Sequence, residues 1–200
     1  MKICVIISGD PRRKELCERF ASYYRKIPGI EKVLLLYEKN PAKAFNKGAT
    51  QTDCDTLFCV GGDVLVKPSD VLRMAKEVGD NEVLFAVSLR RRTKLQRYLF
   101  QSGAFAVKRK TIIKYPMPEE PDFLEEVYWM ENRNLVFKPF FTNFYHIHKH
   151  SFSHILETSI RRWGARVKLR KRSMLIFVVG SFKLFLESIK IYLKERTQFR

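Results

Sequence analysis

The chain has 200 residues, 46% of them hydrophobic, and a formal net charge of +17. That apolar content supports a buried core and excludes global disorder, and the length suits one domain with a modest appendage. The positive balance points to polyanionic partners: nucleic acid, anionic lipid or phosphorylated substrates.

In chain order, residues 2–8 are β-branched and apolar and stop at Gly9-Asp10-Pro11, which predicts a buried strand and a turn. The opening apolar run is too short for a signal peptide and reads as this first strand. Residues 12–27 place Leu16, Phe20, Tyr23 and Tyr24 at helical spacing, and Pro28-Gly29 ends the helix. Residues 32–37 (KVLLLY) predict a second strand, 41–50 a helix, and 56–60 a third strand. A helix is expected over 69–78, with Ser69 as its N-cap and Asp70 in its first turn. Strands are expected at 82–89, 102–108 and 134–141, a short helix from Thr111, and a helix over 123–132. Cys4, Cys17, Cys54 and Cys59 form no CxxC pair, and two lie in apolar runs, so all four are expected as buried reduced thiols of a cytoplasmic protein.

Strands alternating with helices predict an α/β domain with a largely parallel sheet, over residues 1–150. Ligands of such sheets bind beyond the carboxyl ends of the strands. Asp10, Glu38 and Asp63 each come just after a predicted strand, which puts three carboxylates on one rim.

Four stretches then stand in order: AFNKGAT (44–50), DTLFCVGGDVLVKPSDVL (55–72), GAFAVKRKTI (103–112) and FLEEVYWMENRNLVF (123–137). Together they resemble the family 2 glycosyltransferases of GT-A fold, over roughly residues 1–150. The first is similar to that family's Arg-Asn-x-Gly step, the second to its strand running into Asp-x-Asp, the third to its Gly-x-φ-x-x-x-Arg-Arg segment. The fourth is similar to the Glu-Asp pair that opens a helix. The resemblance implies a half-Rossmann, mixed but mostly parallel sheet flanked by helices, and a nucleotide-sugar donor. Two departures are visible: Gly61 stands where the first Asp of Asp-x-Asp would be, and the acidic pair reads Glu125-Glu126.

Transfer from a nucleotide-sugar builds negative charge on a diphosphate leaving group, which a divalent ion or basic side chains must stabilise. Mg²⁺ or Mn²⁺ takes oxygen ligands and needs few from the protein. Asp63 is the expected metal ligand; read alone, it serves equally as a turn carboxylate capping nearby amides. Gly62 is expected to let the backbone approach a phosphate. Ser8, Asp10, Glu38, Asn46 and Gly48 are the other expected donor-binding positions. His146, His148 and His150 alternate and would share one face of a strand. His146 or His148 is the candidate second ligand, as the resemblance implies; a solvated basic strand end is the plain alternative. Either Glu125 or Glu126 is the expected general base for an inverting single displacement, Glu125 by preference, since adjacent helix residues diverge by about 100°. Arg90 heads the basic run LRRRTKLQR (89–97), which suits a donor diphosphate, a lipid phosphate or plain solvent.

Residues 155–200 hold twelve Lys or Arg against three Glu, a net +9 and over half of the total charge. The apolar run 174–179 is too short to span a bilayer. From Phe177 onward, Phe182, Phe185, Leu186, Ile189 and Leu193 recur at helical spacing with lysines between them. This predicts a basic amphipathic C-terminal segment, residues 151–200, suited to an anionic membrane surface or to packing on the domain. A lipid-linked acceptor and a peripheral position at the inner face of the cell membrane are the resulting expectations. No nucleic-acid-reading motif is present, so nucleic acid is not the expected partner. The competing readings are a non-catalytic glycosyltransferase-like scaffold and a basic nucleic-acid- or membrane-binding protein.

Overall fold

The computed structural model describes residues 1–38, 40–88, 103–119, 129, 132–142 and 144–146. The predicted helix over 123–132, apart from Trp129 and Asn132, and the whole basic segment after residue 150 lie outside the described residues.

A six-stranded sheet forms the centre. Its strands are β1 (Ile3–Ser8), β2 (Ile30–Leu36), β3 (Thr56–Gly61), β5 (Glu82–Ser88), β6 (Ala104–Lys108) and β7 (Val136–Thr142), in the order β2-β1-β3-β6-β5-β7. The short strands β4 (Val64–Val66) and β8 (Phe144–His146) pair with each other in a separate sheet. β1 pairs parallel with β2 and β3, and β5 pairs parallel with β7. Only β6 of the six runs the other way, antiparallel to both β3 and β5. The mixed, mostly parallel sheet is therefore the expected one. The inner strands are apolar on both faces, as covered parallel strands must be. β1 and β3 are buried along five of their six residues.

Helices cover both faces. Val5, Ile7, Phe58 and Val60 pack with Ala21 and Tyr24 of α1 (Lys14–Arg25) and with Val71 and Met74 of α3 (Pro68–Glu77). Ile6, Leu57, Phe85 and Phe105 pack on the other face with Ala42, Phe45 and Ala49 of α2 (Pro41–Thr50) and Ile112 of α4 (Arg109–Lys114). Trp129 closes that second core, edge-on to Phe105 and Phe137, and its indole N–H donates to the Tyr115 carbonyl at 2.8 Å. Gly48 of α2 is a point of close approach between helix and sheet: a Cβ there would stand 2.6 Å from Ile6 Cδ1 and Cγ2.

Two expectations change. Ser69 is not the cap of α3. Lys67 occupies the N-cap with no side-chain bond, and Pro68 takes the first helical position, where its missing N–H costs nothing. The four thiols are not all reduced either. Ile3 pairs with Thr56, so the turn before β3 lies beside β1; Cys4 and Cys54 come within 5.8 Å at Cα and are bridged. Cys17 and Cys59 are the buried free thiols.

Candidate active site

The register of the parallel strands places the rim. Ser8 pairs with Leu36 on one side and with Gly61 on the other, so β2, β1 and β3 end at one level. Glu38, Asp10 and Asp63 each stand two residues past that level. The three carboxylates expected at one edge are thus brought there by the sheet itself. β5 and β7 run parallel to each other and end together, with Ser88 paired to Thr142. Gly103 enters the rim from the opposite direction, its carbonyl accepting the Gly61 N–H at 2.9 Å.

Each rim carboxylate meets a cation. Asp10 caps the 3₁₀ turn Pro11–Arg13: its Oδ1 accepts from Arg12 N at 2.9 Å and Nε at 3.1 Å, and its Oδ2 from Arg12 Nη2 at 3.1 Å. That fork holds the Asp10 carboxyl below its ordinary pKa. Arg13 reaches over from the same turn, Nη1 3.8 Å from Asp63 Oδ2. Lys47 of α2 donates to Glu38 Oε1.

Asp63 takes its position from the strand that comes directly after it. That strand, β4, runs antiparallel to β8. Tyr24 and Tyr23 of α1 fasten it. The buried Tyr24 hydroxyl donates to Val64 O and accepts from Val66 N, both at 3.1 Å, and the Tyr23 hydroxyl donates to Val66 O at 3.0 Å. Burial pushes the Tyr24 hydroxyl pKa far above its ordinary value. In the β4–β8 ladder His146 stands opposite Val64, the residue after Asp63. The pairing brings His146 to the rim as a register position.

The expected glycine and asparagine positions have structural contacts of their own. Gly62 donates its N–H to Ser8 O at 2.9 Å, and a Cβ there would meet Cys17 Sγ at 2.7 Å, Ser8 O at 3.1 Å and Gly9 Cα at 3.2 Å. It is a buried, close-packing glycine between β1 and α1. Gly48 faces Ile6 in the core in the same way. Asn46 exchanges hydrogen bonds with the Met117 backbone: its Nδ2 donates to Met117 O at 2.8 Å, and its Oδ1 accepts from Met117 N at 3.0 Å. Asn40 works beside it, accepting from Lys43 N and donating to Glu119 O at 2.7 Å. The two asparagines clasp residues 117–119 onto α2. Ser8 is present at the rim through its carbonyl.

Gly61 differs from Gly62. A Cβ at Gly61 would lie 3.3 Å from Asp63 Oδ1 and 3.8 Å from Gly103 O. A side chain there would share space with the Asp63 carboxylate, so the two positions converge on one point, with an acid at only one of them. Arg90, Glu125, Glu126 and His148 lie outside the described residues, as does the His146 side chain. Among the described residues no three His, Cys, Asp or Glu cluster to hold a metal. The sequence alone does not single out Arg13 or the hydroxyls of the two α1 tyrosines. The tyrosines read as an apolar helix face, and only the pairing of β4 shows what their hydroxyls do.

Solved structures share this architecture. Glucosyl-3-phosphoglycerate synthase from Mycobacterium tuberculosis, in complex with Mg²⁺ and UDP, superposes with a TM-score of 0.63 at 10% identity, over 86% of this chain and 80% of that one. The same enzyme with Mn²⁺, UDP and glucosyl-3-phosphoglycerate gives 0.65 at 12%, over 86% and 81%. With Mn²⁺, UDP-glucose and glycerol 3-phosphate it gives 0.63 at 11%, over 86% and 81%. At such identities the likeness establishes the fold, that of the GT-A glycosyltransferases. No curated protein matches the chain in sequence. The family model "Glycosyl transferase family 2" matches residues 1–189, and the chain belongs to that family.

Proposed function

We propose that this family member transfers a sugar from a nucleotide-sugar to an acceptor by single displacement with inversion, with Mg²⁺ or Mn²⁺ held at Asp63. One observation carries the reading: a carboxylate at the carboxyl rim of a GT-A sheet, a quarter exposed, with a cation already 3.8 Å away. The oxygen donor suits a hard divalent ion, and Gly61 leaves the room beside it that a second side chain would fill. Such an ion, when bound, stabilises the charge of a diphosphate leaving group. The chain's own contribution is electrostatic and positional. Asp63 would hold the ion from just before a strand fixed by Tyr23 and Tyr24, and Glu38 and Asp10 would flank the nucleotide side of the rim. Arg12, Arg13 and Lys47 balance the phosphates. His146 is the candidate additional ligand, supported by its place opposite Val64, with His148 the alternative. Glu125 is proposed to take the acceptor's proton, with Glu126 turned away, and Arg90 to reach phosphate.

The basic residues 151–200 are proposed as a segment distinct from the catalytic domain of residues 1–150. Their net charge favours an anionic membrane surface at the cytoplasmic face and a lipid-linked or membrane-associated acceptor. Gly61 favours a second reading, a scaffold that binds donor without turnover.

The test is thermal shift with UDP-, GDP- and dTDP-sugars, with and without Mn²⁺. The bound complexes of the mycobacterial enzyme make UDP-sugars the first to try. One donor at about a hundredfold its Kd should raise Tm by roughly 5–10 °C, and only with the metal. Asp63→Asn should remove the metal-dependent part, and Gly61→Asp should enlarge it. No response to any donor refutes the proposal; binding without transfer to any acceptor selects the scaffold.

A further inference from the structure

Arg13 stands beside Asp63, the one acid this chain keeps of the Asp-x-Asp pattern. It ends the 3₁₀ turn Pro11–Arg13 and stands at the N-cap of α1, in a non-helical conformation (φ −128°, ψ 37°). Its amide is tied to Asp10 O at 2.9 Å, so the backbone is fixed while the side chain stays one-third exposed. Nη1 lies 3.8 Å from Asp63 Oδ2, an ion-pair distance longer than a hydrogen bond. The contact is Coulombic and partly screened, of the kind that exchanges readily.

We propose that Arg13 shares Asp63 with the divalent ion: it neutralises the carboxylate when no metal is bound, and gives it up to the metal when donor arrives, its guanidinium then binding the donor diphosphate. The proposal rests on the donor-site reading above. Charge supports the exchange. Two carboxylates around a divalent ion would make a neutral centre. Here Gly61 supplies none, so Asp63, a divalent ion and Arg13 together carry +2, which matches a diphosphate rather than the ion alone. Arg13 therefore opposes binding of free metal and favours binding of metal with diphosphate. A guanidinium fork suits phosphate oxygens, and at 3.8 Å it needs only a side-chain rotation to leave the carboxylate.

The experiment uses the full chain, Mn²⁺ as a paramagnetic probe, and inorganic pyrophosphate, which is independent of the nucleotide base. Mn²⁺ binding is measured by electron paramagnetic resonance of the free ion without pyrophosphate, and binding of the preformed Mn²⁺–pyrophosphate complex by titration calorimetry, for wild type, Arg13→Ala and Arg13→Gln. Both variants should bind Mn²⁺ alone about threefold more tightly, as a competing positive charge is gone. Both should bind pyrophosphate in the presence of Mn²⁺ about tenfold more weakly, the scale of one charge-assisted hydrogen bond. Opposite signs are the signature of the exchange. Arg13→Gln keeps much of the side chain's length and guards against a folding defect in Arg13→Ala. Unchanged affinities, or losses in both, overturn the role of Arg13 while leaving the donor site standing. A wild-type protein that binds neither probe overturns the donor-site reading and this inference with it.

Discussion

Tyr24→Phe removes one oxygen and leaves two backbone groups without their partner. The Tyr24 hydroxyl donates to Val64 O and accepts from Val66 N, each at 3.1 Å, and the side chain is fully buried. It stands in for a neighbouring strand along one side of β4. Phenylalanine keeps the ring and its edge-on contact with Tyr23 at 5.2 Å, so packing changes little. The loss is then polar: a buried N–H and a buried C=O, each costing about 1–3 kcal/mol when unpaired. Partial relaxation toward other partners reduces the sum, and we expect about 3 kcal/mol in all. For a chain of this size that lowers Tm by roughly 6–12 °C. Tyr23→Phe removes one bond from a partly exposed hydroxyl and should cost only about 1 kcal/mol. Urea and thermal unfolding read both. Because Asp63 immediately precedes β4, Tyr24→Phe should also weaken the metal-dependent response to donor, measured well below the new Tm. If the two variants are equally stable, β4 is not fixed by the buried hydroxyl, and the account of how Asp63 is positioned fails.

Two further outcomes test packing and charge. Gly48→Ala puts a methyl 2.6 Å from Ile6 and should destabilise by about 1–3 kcal/mol; Ile6→Val in the same chain should recover part of it, which a double-mutant cycle in urea would detect. Asp10, through its hydrogen bonds from Arg12, and Glu82, through that from Lys138, titrate below their ordinary values of 3.8 and 4.5. Their contribution is complete above those values and is lost as pH falls through the lower folded ones. Tm measured down through that range should therefore fall less steeply in Arg12→Ala than in wild type.

The elements with strong local signals were legible in the sequence. Helix α2 runs over 41–50 as its pattern predicts, because Asn40 caps it and Pro41 opens it. The apolar runs of β1, β3 and β5 announce covered strands, and the order of the strands places the three acids at one rim. The rest depends on contacts distant in sequence. β4 and β8 have three residues each, too short for any periodicity, and their pairing joins residues 64–66 to 144–146. The bridge between Cys4 and Cys54 is set by the β1–β3 register, and the spacing of 50 residues carries no such information. The glycines show the same limit. Gly48, Gly61 and Gly62 look alike in sequence, yet one admits a helix to the sheet, one packs on Cys17, and only Gly61 borders the carboxylate. Asn46 carried a motif resemblance and proves to hold the Met117 backbone.

Three acids at the end of one sheet would repel one another if left alone, and among the described residues three cations from nearby in the chain meet them. Asp10 has Arg12, Asp63 has Arg13, and Glu38 has Lys47. All three pairs are partly exposed, so each contributes little to stability. Weak pairing is an advantage at a binding rim. A buried, fully bonded carboxylate would resist giving up its partner by several kcal/mol. A screened one exchanges a side-chain cation for a metal, or releases that cation to a phosphate, at small cost. These three pairs thus balance their own charges without ligand, yet would offer both charge signs to a metal–diphosphate pair. On this argument the absence of an acid at Gly61 lowers the negative charge that would otherwise need balancing before ligand binds. In the proposed donor complex it would also move recognition from the metal alone toward the metal together with its phosphates.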